Sequence, residues 1–243
     1  MDETYAREMS ALTRSFYDEV FASFSATRQS PWAGWECLVR EMGLTGAEDL
    51  RVLDVACGNL RFERFLAGRA RSVEAWCSDA CDGLALSAMA SAGEIVLHYA
   101  HADIAEALLA DGLNAISATC PVDLAVSFGF MHHLPLAAQR QRLLAHLIDQ
   151  VRVGGHACVS FWQFERDARI MRGAEGVVGG CAGDYLLGWQ GSDRVRRFCH
   201  STREAEIDEL VASLADGARE VARFSADGKS GVLNRYLVLR RAR

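Results

Sequence analysis

The chain has 243 residues, half of them hydrophobic, 24% charged and only three of them proline. That length sustains one large core or two small ones, and the composition excludes a disordered, collagen-like or fibrous protein. The formal charge of −6 excludes a protein that coats nucleic acid by charge alone, although it leaves room for a local basic patch. No run of about twenty apolar residues is free of charge; the nearest, 112–139, contains Asp123 and the pair His132-His133. A membrane span is therefore not expected. Met1-Asp2-Glu3 is acidic where a leader peptide would be basic, and the expected location is the cytoplasm. Lys229 is the only lysine. Nearly all positive charge is thus guanidinium, which suits carboxylate and phosphate better than an ammonium does. The eight cysteines are scattered without a CxxC pair, so they read as small buried hydrophobes, with no disulfide and no metal site expected.

The first predicted element is an amphipathic helix over 4–26, with Met9, Leu12, Phe16, Val20 and Phe21 on one stripe. From Arg51 onward, short apolar runs alternate with helical spacing. Strands are predicted at Arg51–Val55, Val73–Cys77, Ile95–Ala100, Asp123–Phe128 and His156–Trp162, with helices at Arg61–Gly68, Leu84–Ala90 and Gln139–Val151 between them. In the last helix, Leu143, Leu144, Leu147 and Val151 recur three and four apart. Such alternation implies βαβ units and a parallel sheet. Residues 164–200 interrupt it with a Gly- and Arg-rich insertion. A helix over Arg203–Leu214 follows, and Glu220–Phe224 and Asn234–Leu239, around Asp227-Gly228, read as a terminal antiparallel hairpin. The expected fold is a single α/β domain over 1–243: a Rossmann-like, seven-stranded, mostly parallel sheet with helices on both faces. Residues 1–50 and 164–200 are the candidate substrate-covering parts, because an open parallel sheet binds ligands beyond its carboxyl edge.

The most informative stretch is Arg51-Val52-Leu53-Asp54-Val55-Ala56-Cys57-Gly58-Asn59-Leu60. A buried strand ends in an acid, a tight turn of small residues follows, and a helix starts near Arg61. Small residues let the backbone approach a ligand, and N–H groups at a helix start receive anions. Asp54 suits a ligand ammonium. Asp79, at the end of the second strand, is placed to accept from both hydroxyls of a ribose. Asp103, after the third strand, could accept from an adenine amino group.

This arrangement resembles the class I S-adenosylmethionine-dependent methyltransferases, whose sheet ends in the same reversed hairpin. Their first loop usually reads Asp-x-Gly-x-Gly-x-Gly; here Ala56 and Leu60 stand for the first and third glycines and Gly58 is kept. Ala56 is a mild change, and Leu60 is expected to hold ordinary backbone space. The resemblance implies S-adenosylmethionine as cofactor, held by Asp54, Ala56, Cys57, Gly58, Asn59, Asp79, Ala80, Asp103, Ile104, Ser127 and Phe128.

Three further stretches are similar to the eukaryotic wobble-uridine tRNA methyltransferases, including the domain fused to an AlkB-like hydroxylase. They are Phe24-Ser25-Ala26-Thr27-Arg28-Gln29-Ser30-Pro31-Trp32, Phe128-Gly129-Phe130-Met131-His132-His133-Leu134, and Arg197-Phe198-Cys199-His200-Ser201-Thr202-Arg203-Glu204. The similarity implies esterification of a uridine carboxymethyl group in tRNA, with a small activator subunit as a possible partner. A carboxylate needs orientation rather than a strong base, and an Arg fork can supply it. Arg28, Arg197 and Arg203 are the candidates, and Arg28 could equally hold the cofactor's own carboxylate. His133 could orient the substrate, His132 reads as structural, and for His200 a packing or capping role is as reasonable as one at the site. Gly188 replaces a proline common in that family, and Cys199 an aromatic. Two alternatives remain open: a small-molecule carboxyl or oxygen methyltransferase, and a non-catalytic S-adenosylmethionine-binding module.

Overall fold

The computed structural model describes residues 2–89 and 95–243; Ala90, the expected end of one helix, lies outside them. Two helices come first, α1 (Glu3–Ala26) and α2 (Ala33–Met42). Then β1 (Asp49–Val55), α3 (Arg61–Ala67), β2 (Ser72–Asp79), α4 (Asp82–Met89), β3 (Val96–His101), α5 (Ile104–Leu109), β4 (Val122–Ser127), α6 (Ala137–Gln150) and β5 (Val151–Trp162) alternate as expected. The insertion holds α7 (Ala168–Met171), β6 (Ala174–Gly176), β7 (Asp184–Trp189) and β8 (Ser192–His200), and α8 (Glu204–Ser213), β9 (Ala218–Ala226) and β10 (Asn234–Arg241) complete the chain.

The main sheet has seven strands in the order β3-β2-β1-β4-β5-β10-β9. The first five are parallel, and β10 runs antiparallel to both β5 and β9. β1 shows why the sheet is buried on both faces. Leu53 and Val55 pack with Leu143, Leu144 and Leu147 of α6, while Leu50 and Val52 pack with Trp35 and Leu38 of α2 and Phe65 of α3. A strand apolar on both sides needs helices on both sides, which is the condition of a parallel sheet. Strand order reverses between β1 and β4, and the crevice at such a switch point is where open α/β sheets bind ligands.

The insertion is not the irregular cover that its Gly and Arg content suggests. β6, β7 and β8 form a second, antiparallel sheet. Leu187 and Cys199 pack with Phe164 beneath it, so a small apolar cluster makes the hairpin worth forming. The sheet is tied to α1: the Phe198 N–H donates to Thr13 Oγ1 at 3.1 Å, Tyr5 Oη–H to Asp184 Oδ2 at 3.2 Å, and Trp189 Nε1–H to Ser23 Oγ at 3.1 Å.

The loop after β1 corrects the expectation for Leu60. Its φ is +54°, left-handed like Ala56 at +70° and Gly58 at +57°. The chain thus keeps three glycine-type conformations with one glycine. A side chain in that region costs about 1–2 kcal/mol. Leu60 is fully buried in the α2–α3 cluster, and that burial offsets its strain. Ala56 has far less to bury. Ala56→Gly should therefore raise stability by about 1 kcal/mol, or a few degrees in Tm, as read by thermal melting. An unchanged or lower Tm would mean that the methyl group's contacts outweigh the strain.

Candidate functional site

β1 and β2 end level, with Val55 paired to Ser78. The N–H groups of Ala56 and Cys57 both donate to the Ser78 carbonyl, at 2.8 and 3.1 Å. This pins the loop against the end of β2, where Asp79 stands. The Gly58 N–H donates to Asp79 Oδ2 and the Cys81 N–H to Asp79 Oδ1, both at 2.8 Å. Burial pushes the Asp79 carboxyl up from its ordinary value, and these backbone donors oppose that. The carboxylate is fixed in direction with lone pairs to spare.

A cavity of about 720 Å³ opens above this loop, within the range of small-molecule sites. Its wall contains Asp54, Ala56, Cys57, Gly58, Asn59, Asp79, Ala80, Asp103, Ile104 and Phe128, together with Arg28, His133 and Arg197. Sequence reasoning named all of these. Two expected residues are placed otherwise. Ser127 is fully buried in β4 and is not among the lining residues. Arg203 precedes α8, half exposed, 3.8 Å from Glu165, and is likewise not part of the wall.

The cofactor end fits an adenosyl amino acid. Asp54 is 2% exposed and its Oδ1 has no hydrogen-bond partner, an acceptor waiting for a donor such as an ammonium. A β-carbon at Gly58 would meet nothing within 4 Å, so the backbone there is open to a ligand. Asp103 is partly committed: Oδ1 caps α5 by accepting from the Glu106 N–H at 3.1 Å, and Oδ2 pairs with Arg14.

The other end of the cavity is aromatic and cationic. Arg197, on β8, is 6% exposed, and its Nε and Nη1 have no hydrogen-bond partner. Its guanidinium lies 4.5 Å from the Phe16 ring centre, with Trp162 and Trp189 also near. Arg28 lies 4.6 Å over Phe24 and donates to Thr27 Oγ1 at 3.1 Å. Burial lowers the Arg28 pKa, and Arg197 lowers it further by repulsion. Among the described residues, neither guanidinium pairs with a carboxylate. Two facing cations with no anion between them attract one.

His133 is bound on both nitrogens. Nδ1 lies 2.8 Å from the Phe198 carbonyl, which can only accept, so Nδ1 carries the proton. Nε2 then accepts from Tyr17 Oη–H at 2.9 Å. Burial, with Arg197 nearby, pushes its pKa down to about 3, and burial pushes Tyr17 up to about 12. The ring braces α1 against β8 and has no nitrogen left to hold a substrate. His132, its ring centre 4.0 Å away and tilted by 51°, is buried and its pKa is also pushed well down. Cys199 lies close by, but the commitments of His133 leave this trio unsuited to a metal. His200 is no mere packing residue: Nδ1 meets Asp184 at 2.7 Å and Nε2 meets Glu206 at 2.8 Å. Tyr17 and Trp162 went unnamed as wall residues, because single aromatics read as core. Glu63, buried behind Asp54, gives no signal at all in a seven-residue helix.

No protein-family model matches the chain. It is 28% identical over 186 residues to a protein of Encephalitozoon cuniculi whose name assigns it provisionally to the methyltransferases, covering 76% of this chain and 77% of that one. It is 30% identical over 152 residues to the tRNA (carboxymethyluridine(34)-5-O)-methyltransferase of Saccharomyces cerevisiae. That match covers 62% of this chain and 47% of the yeast protein, about half its length. Among solved structures, the Burkholderia thailandensis 1,6-didemethyltoxoflavin-N1-methyltransferase superposes with a TM-score of 0.65 at 16% identity, over 98% of this chain and 91% of that one. An amino pentose methyltransferase from Micromonospora echinaspora gives 0.58 at 16% identity, over 92% and 97%. With the strand order, the loop after β1 and the acids at the strand ends, these likenesses make the chain similar in sequence to two methyltransferases and give it the fold of solved S-adenosylmethionine-dependent ones.

Proposed function

We propose that the protein methylates a carboxylate, and that this carboxylate belongs to a modified wobble uridine of tRNA. The observation that carries the reading is Arg197, a buried guanidinium with two nitrogens free of hydrogen bonds, in the same cavity as Asp54, Gly58 and Asp79. Arg is the residue that receives a carboxylate through two parallel N–H groups. The uridine assignment draws on the yeast relative, whose name gives carboxymethyluridine 34 of tRNA as its acceptor. Tyr17, Phe24 and Trp162 in the cavity wall supply faces on which a base can stack.

The bases in the cavity favour the same class of acceptor. A hydroxyl or amine must lose a proton to become methylated, and that calls for a base with a pKa near neutrality. His133 is pushed down to about 3 with both nitrogens bound, and His132 is pushed well down. A carboxylate is already an anion and needs only to be held in line. S-adenosylmethionine, when bound, supplies an electrophilic methyl group on a sulfonium. Asp79 would take its ribose hydroxyls and Asp54 its ammonium, leaving Arg28 for the carboxylate of cofactor or substrate. Arg197 orients the acceptor oxygen. The aromatic wall, closed by α1 and β8 as a cover, excludes the water that would compete with these contacts.

The test is transfer of labelled methyl from S-adenosylmethionine into total tRNA against a small-metabolite extract. The expected result is label in tRNA, falling steeply with ionic strength through phosphate contacts and released by mild alkali as an ester is. Label in small metabolites alone would move the protein to small-molecule carboxyl or oxygen methylation. Cofactor binding with no transfer to either would make it a binding module.

A further inference from the structure

Behind Asp54 lies a second acid. Asp54 and Glu63 are 2% and 1% exposed. They lie within hydrogen-bonding reach of each other, yet Asp54 Oδ1 and Glu63 Oε2 each lack any donor. Two carboxylates out of water at this range cannot both stay ionised, so one proton sits between them. The surroundings decide which acid carries it. Glu63 Oε1 accepts from the Cys77 thiol at 3.3 Å, and Glu63 gains from its own backbone N–H and from the Arg64 charge. Asp54 has no such support: burial, Glu63 and Asp79 all favour its neutral form. The groups facing the pair are thus Cys77 and Asp79 from β2, Cys57 from the loop and Arg64 from α3. Asp54 alone of the two reaches the cavity.

We propose that the cofactor's ammonium takes the place of the proton that Asp54 holds against Glu63, so that cofactor binding releases a proton, with Glu63 as the positioning residue behind Asp54. The proposal rests on the cofactor reading given above. The exchange balances: one proton leaves the Asp54 carboxyl through the cavity, one ammonium arrives with its own protons, and as the buried pair goes from −1 to −2 the ligand's +1 keeps the site at a net charge of −1. Affinity then depends on pH through the protein rather than through the ligand. Below the ordinary α-amino range of about 7.7–8.0 the ligand is already an ammonium, and binding should still strengthen roughly tenfold per pH unit while Asp54 stays protonated in the free protein.

Isothermal titration with S-adenosylhomocysteine near pH 6.5, in two buffers of different ionisation enthalpy, counts the proton directly. About one should be released per ligand bound by the unmodified protein. Methylthioadenosine, the same nucleoside thioether without the amino-acid end, should bind with none. Glu63→Gln removes the like charge and offers Asp54 an amide donor, so Asp54 is ionised beforehand and the release should vanish. No release from the unmodified protein, or the same release with methylthioadenosine, overturns the proposal without any variant. Undiminished release in Glu63→Gln overturns the role of Glu63. Failure of both ligands to bind overturns the cofactor reading together with this one.

Discussion

Arg197→Lys should lower turnover on the acceptor by on the order of a hundredfold while leaving cofactor affinity unchanged, and Arg197→Ala should lower it further. Lysine keeps the charge but not the planar fork, and a point charge cannot hold two carboxylate oxygens in one plane. Arg203 is no substitute, because it stands apart, near Glu165. Stability should hold or rise in both variants, since Arg197 is buried without a carboxylate partner and repels Arg28. A thermal melt therefore separates lost chemistry from lost fold. Arg28→Lys sorts the second cation: weaker cofactor binding assigns it to the cofactor's carboxylate, and unchanged binding with slower transfer assigns it to the substrate. Full activity in Arg197→Lys would sink the carboxylate clamp, although the methyltransferase reading would survive it.

The second large effect is on stability. His200 is 2% exposed between Asp184 and Glu206. Burial opposes its charge, but the hydrogen bonds with Asp184 and Glu206 outweigh burial and raise its pKa above the ordinary imidazole value. Removing one partner of a buried charged pair costs about 3–5 kcal/mol, so Asp184→Ala should lower Tm on the order of ten degrees. A raised folded-state pKa stabilises fully below the unfolded value of about 6.5 and is lost as pH climbs through the folded one. The stability difference between the parent and His200→Gln should accordingly be largest in mild acid and shrink in alkali, as followed by urea unfolding across pH. A difference that stays flat would mean that the ring is not an imidazolium.

The strand-helix alternation was legible because parallel strands apolar on both faces leave uninterrupted apolar runs between helical stretches. Asp54, Gly58 and Asp79 were legible for the same topological reason: each ends or follows a strand whose place is set by its neighbours. The insertion was less so, because its sheet rests on the few apolar residues around Phe164, Leu187 and Cys199. Arg197 could not be told from Arg203 in the sequence, and its neighbour Arg196 carries the same charge. Only the strand's period of two settles it, turning Arg197 into the cavity while Arg196 pairs with Glu175. Leu60 ran against its propensity because burial overrode backbone preference. Nor does any spacing reveal that Tyr17, on the first helix, meets His133 more than a hundred residues later.

The cover itself has a mechanical consequence. α1 and the small sheet are bonded to each other at Tyr5, Thr13 and Ser23, near both ends and the middle of the helix. Two parts joined at three points do not part from each other readily. Any opening on this side of the cavity should therefore move α1 and the small sheet as one body. Entry then becomes a single cooperative event, in which the amides of α1 and β8 gain and lose protection together. The rate of that event, rather than of methyl transfer, would then limit turnover.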